Sequence, residues 1–135
     1  MQYDEFIGEV QHRAQLDSRE AALSVSRATL TTLSERVQPG EAENLAGQLP
    51  EELARHLEKV DDVEGFDFEE FADRVADREE LGENDPADAA FHAQVVVEVL
   101  DEATTGDTLA ELRTQFPDDE YDELFELVDS EGSPA

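Results

Sequence analysis

The chain has 135 residues, with 9 Lys plus Arg against 37 Asp plus Glu, a formal charge of −28 and no cysteine. That length suits one domain or two very small ones, and the missing thiols exclude a disulfide framework, a thiolate zinc site, an iron–sulfur cluster and a cysteine nucleophile. Leu, Ile, Val and Phe number 33, about 24% of the chain, above the roughly 20% below which so charged a chain is expected to stay disordered.

The apolar residues recur at helical spacing. Tyr3, Phe6, Ile7, Val10 and Ala14 form one stripe, which predicts a first helix over about 3–15. Asp17, with Glu20 three residues on, offers an N-cap for a long second helix over about 19–37, burying Ala22, Val25, Thr29, Leu33 and Val37. Pro39-Gly40 is expected to stop it. A short third helix, about 41–48, precedes a fourth from Pro50 to about Lys59, where a first-turn proline loses no hydrogen bond and Glu51 and Glu52 favour the positive end. The polar stretch 60–66 reads as a joint. Asp67 with Glu70 caps a fifth helix bearing Phe68, Phe71, Ala72 and Val75, and Asp85-Pro86 starts a sixth over about 86–104. The valines at 95–97 and 99 lie inside that capped segment, so strands are not expected. The seventh helix is about 107–115, and the eighth runs from Pro117 with Tyr121, Leu124, Phe125 and Val128.

The second half repeats the first. At an offset of 65, Glu5, Phe6, Val10 and Arg13 fall on Glu70, Phe71, Val75 and Arg78; at 67, Ala22, Leu33, Glu35, Leu45, Gln48 and Pro50 fall on Ala89, Leu100, Glu102, Leu112, Gln115 and Pro117. The reading is all-α: two tandem copies of a four-helix unit packed into one compact helical domain. Residues 1–59 are the first unit, 60–66 the joint, 67–128 the second unit and 129–135 a disordered tail. Before Tyr121 the second half is one residue longer, which leaves the register of the last helix open. The aromatics Tyr3, Phe6, Phe68, Phe71, Phe116, Tyr121 and Phe125 are assigned to the core.

The words Tyr3-Asp4-Glu5-Phe6, Gln48-Leu49-Pro50-Glu51-Glu52-Leu53 and Gln115-Phe116-Pro117 make the chain resemble the domain of unknown function 2267 family, small duplicated helical proteins of bacteria and halophilic archaea. The resemblance runs from Tyr3 to about Val128. It implies the fold class and the duplication, and carries no activity, ligand or catalytic residue with it.

The acids are spread along the whole chain, and eight of the nine basic residues are Arg. That is the habit of proteins working in molar potassium chloride, where the Debye length falls to about 3 Å and self-repulsion is screened. Direct binding to nucleic acid or an anionic membrane needs a positive patch, which scattered arginines do not supply. The start of the chain carries no secretory signal pattern, and no long apolar run occurs, so the expectation is a soluble, cytoplasmic protein.

Few constellations carry chemistry. Glu9 and His12 have the Glu-x-x-His spacing of di-iron bundles, but such sites need a second copy of the motif, and their counterparts are Arg74 and Asp77. His56 and His92 are the other weak candidates, each one turn from a carboxylate. No catalytic residue, metal or cofactor is assigned. Arg13 and Arg78 occupy equivalent places and read as structural arginines, paired with a carboxylate such as Glu9 or Glu20 in the first unit and with Arg74's neighbours in the second, or as docking arginines for an acidic group. The leading function is a non-enzymatic helical interaction or scaffold module adapted to high salt, with a protein partner; homodimerisation is left open. The alternatives are a small-molecule-binding protein or enzyme with a pocket between the two units, and an acidic mimic of nucleic acid.

Overall fold

The computed structural model describes residues 1–57, 63–79 and 85–131, and every regular element among them is helical. The order is α1 (Tyr3–Arg13), α2 (Arg19–Arg36), α3 (Pro39–Ala46), α4 (Glu51–Ala54) continued by a 3-10 turn (Arg55–Leu57), α5 (Phe68–Arg78), α6 (Pro86–Ala103), α7 (Thr108–Arg113), α8 (Asp118–Tyr121) continued by a 3-10 turn (Asp122–Phe125), and α9 (Glu126–Glu131). No described helix is long and apolar enough to cross a membrane.

The helix boundaries follow local chemistry, with corrections. After α1 the chain leaves through Gln15 at φ 57°, the left-handed exit usually given to glycine, and Leu16 N–H donates to the Gln11 carbonyl at 2.9 Å. The residue then placed to cap α2 is Ser18, whose hydroxyl accepts from the Ala21 N–H at 3.1 Å, not Asp17. Pro39-Gly40 does not merely end α2. Pro39 is the first residue of α3, where its missing N–H costs nothing. Asp67 and Asp85 cap α5 and α6 as their sequence context predicts. The fourth and eighth helices are shorter than expected, each tightening into a 3-10 turn after four residues. Residues 58–59 of the expected fourth helix, 60–62 of the joint and 132–135 of the expected tail lie outside the described residues.

α2 and α6 form the centre. α2 packs against α1, α5 and α6, and α6 against α1, α2, α5 and α9, while α3 meets α7 on one side. Being covered from several directions, both central helices bury far more than one stripe. α6 does so with Ala93, Val95, Val96, Val97, Val99 and Leu100. α2 instead buries Ser24, Ser26, Thr29, Thr32 and Ser34 among its apolar residues, and the hydroxyls of Ser26 and Thr29 have no hydrogen-bond partner. Of the aromatics assigned to the core, all but the half-buried Tyr3 are buried.

The end of the joint belongs to the core as well. Phe66 is buried, its carbonyl accepts from the Tyr121 hydroxyl at 2.6 Å and from Arg36 Nε at 3.1 Å, and its ring lies under Arg74. Burial pushes the Tyr121 phenol up to about 12. α9 also carries helix past Val128, and Asp129, placed in the tail by the sequence, is held by both terminal nitrogens of Arg113 at 2.6 and 3.0 Å.

Candidate functional site

The two arginines singled out in the sequence are tied into ion-pair clusters, and most of their partners come from the opposite half. Arg13, at the end of α1, meets Glu102 of α6 through both terminal nitrogens at 2.5 and 2.8 Å, with Glu98 at 3.0 Å and Glu9 at 2.9 Å. Arg78, at the end of α5, meets Glu35 of α2 through both terminal nitrogens at 2.6 Å and donates to the Thr32 hydroxyl. Arg74 joins that cluster, bonding Glu35, Glu64 and Glu70 with its guanidinium 3.9 Å from the Phe66 ring centre. Glu9 is thus an Arg13 partner as expected; the main partners, Glu102 and Glu35, come from across the molecule instead of from Glu20 or the same unit. Glu35 and Glu102 are themselves matched at offset 67, so the pairs are reciprocal.

Electrostatics follow the geometry. Burial alone would raise the Glu35 carboxyl, but the hydrogen bonds and charges of Arg78 and Arg74 together hold it below its ordinary value. The hydrogen bond from Arg113 likewise lowers Asp129. A second reciprocal tie uses glutamines: Gln48 Oε1 accepts from the Thr105 N–H at 2.7 Å, and Gln115 Oε1 accepts from the Gln38 N–H at 3.3 Å.

The histidines are spread over different elements. His12 is exposed on α1, and His56 is half-buried in the 3-10 turn after α4. His92 of α6 places Nδ1 at 2.7 Å from Oε1 of Glu79, a side chain with no solvent exposure. Among the described residues no group of three His, Asp or Glu could hold a metal ion.

A surface concavity lies elsewhere, at the corner of α5, α6 and α8. It is an open groove of about 650 Å³. Its floor is apolar: Phe68 and Ala72 from α5, with Pro86, Ala87 and Ala90 from the first turns of α6. Its rim is acidic, from Asp67, Glu69, Asp119, Glu120, Asp122 and Glu123, and none of the described residues lining it is basic. A neighbouring, more polar hollow of about 400 Å³ shares Asp67 and Glu120 with it and contains Arg36. Sequence reasoning missed this groove because it looked for positions that repeat. The signal lies in those that do not: at the same offsets, Ile7, Arg19 and Leu23 of the first half fall on Ala72, Pro86 and Ala90 in the second.

These features define a small all-helical protein, cross-tied by arginine–carboxylate clusters, with an open acidic-rimmed groove at one corner. The chain belongs to the family of uncharacterized conserved proteins DUF2267, whose model matches residues 3–124. No curated protein matches it.

Proposed function

We propose that the protein is a non-enzymatic interaction module, a rigid helical frame that presents a surface to a protein partner. The observation that carries this reading is the open groove with its apolar floor, whose volume of about 650 Å³ lies in the range of binding concavities. The frame is read as a duplicated four-helix unit. α1 and α5 have 11 residues each, α2 and α6 have 18 each, and the arginine and glutamine ties are reciprocal, all of which supports that reading. A cross-linked pull-down of the tagged chain from its host's lysate, washed in molar KCl, tests the module. Recovery of one protein in proportion to the bait supports it; a folded bait that recovers no protein overturns it.

The charge of −28 supports a working solvent of molar potassium chloride. Circular dichroism should then show helix at molar KCl and its loss in dilute buffer. A signal unchanged down to roughly 0.1 M, where the Debye length is about 10 Å, overturns that part.

One observation favours a second reading, a small-molecule site: the pairing of His92 with the fully buried Glu79 carboxylate. A metabolite screen by thermal shift, repeated on His92→Gln, tests it. Hits that persist in the variant count against it.

A further inference from the structure

The corner of α1 and α2 shows what kind of side chain fills the corner of α5 and α6. In the first half Arg19 lies across it. Its guanidinium carbon sits 5.7 Å from the Tyr3 ring centre, within cation–π range, and Nη2 bonds Asp4 at 2.7 Å. Ile7 is fully buried there and Leu23 is half-buried. In the second half the receiving groups remain, Phe68 in place of Tyr3 and Glu69 in place of Asp4, but Arg19 is replaced by Pro86, Ile7 by Ala72 and Leu23 by Ala90. The larger side chains of the first corner are therefore replaced in the second by Ala72, Pro86 and Ala90, all three of which line the groove of about 650 Å³.

We propose that the groove between α5, α6 and α8 is a docking site for an amphipathic helix of a protein partner that carries arginine next to a branched aliphatic residue. Such a helix supplies in trans what Arg19, Ile7 and Leu23 supply in cis. The guanidinium stacks on Phe68 and takes Glu69, and the aliphatic chain packs on Ala72 and Ala90. The acids of α8 complete the charge complementarity on the far wall. Contact pairing of a planar guanidinium with carboxylates, joined to apolar burial, survives the short Debye length of molar salt far better than long-range attraction does. The proposal rests on the interaction-module reading and sharpens it to one surface and one partner chemistry.

The test titrates the full-length ¹⁵N-labelled protein in molar KCl with a capped, alanine-based helical peptide bearing Arg–Leu pairs one turn apart. Two control peptides replace Arg by citrulline or Leu by Ala. Amide shifts should change at 67–72, 86–90 and 119–123, and each control should bind at least about tenfold more weakly. Two variants refill the groove from within: Ala90→Leu, and Pro86→Arg, which restores the first-half arrangement. With helix content verified by circular dichroism, either should weaken the Arg–Leu peptide by at least about tenfold. No shift change at the groove, equal binding of the citrulline peptide, or full binding by both folded variants overturns the proposal. The pull-down separates the two levels. A host protein captured equally by wild type and the refilled variants leaves the module reading standing and removes the groove; an empty wild-type bait removes the module reading whatever the peptide does.

Discussion

The two arginine clusters perform the same crossing with different redundancy. At one end Arg13 reaches from α1 to Glu98 and Glu102 of α6, with Glu9 beside it. At the other, Arg78 and Arg74 both reach from α5 to Glu35 of α2. The position matching Arg74 is Glu9, so where one end has a second guanidinium the other has another carboxylate. Loss of one arginine at the second end leaves Glu35 the other guanidinium, whereas loss of Arg13 withdraws the same guanidinium from Glu9, Glu98 and Glu102 at once.

Arg13→Met should therefore be the most damaging change. It withdraws the guanidinium from three carboxylates, and the Glu98 side chain is only 11% exposed. A loss of about 2–3 kcal/mol is expected in urea denaturation at molar KCl, against about 1–2 kcal/mol for Arg78→Met, where Arg74 still holds Glu35. Equal losses would break the comparison.

Glu35 supplies the pH dependence. Its folded value lies below its ordinary 4.5, so the stability it contributes is complete above that pH and is lost as pH falls through the lowered folded value. Relief of the chain's overall repulsion on acidification is common to wild type and Glu35→Gln. The stability gap between the two, followed by urea titration, should accordingly be constant near neutral pH and close below about 4.5. A gap that widens in acid would contradict the pairing.

The central helices provide a smaller contrast. Thr29 of α2 buries a hydroxyl without a partner, and its counterpart in α6 is Val96. Thr29→Val should raise stability by about 1 kcal/mol, because the shape is kept and an unsatisfied polar atom is removed; a loss would mean that the hydroxyl has a role in folding. Smallest of all, Glu9→Arg would copy the Arg74 arrangement into the first cluster. Thermal melts should show a gain below about 1 kcal/mol in the lowest salt that keeps the protein folded, and almost none at molar KCl.

Much of the architecture was legible. Apolar spacing located the helices, and Asp67, Asp85 and Pro86 marked starts because cap chemistry acts within one turn. At the start of α2 the spacing to Glu20 pointed to Asp17, but with the left-handed exit at Gln15 the chain places Ser18 as the cap. The breaks after Ala54 and Tyr121 were hidden for a similar reason. Tyr121 is held by its long-range bond to Phe66 and by packing against Phe116, and helical periodicity carries no trace of either.

The sequence by itself determined the helical fold class, most of the core and the match of Arg13 with Arg78 at an offset of 65, since each depends on spacing or identity along the chain. Only the tertiary structure decided that those arginines cross to the opposite half, that His92 meets Glu79 and not its neighbour Asp88, and that Ala72, Pro86 and Ala90 line one open groove. Partner choice and empty space depend on which helices come side by side, and that arrangement is set by burying α2 and α6 from several sides at once.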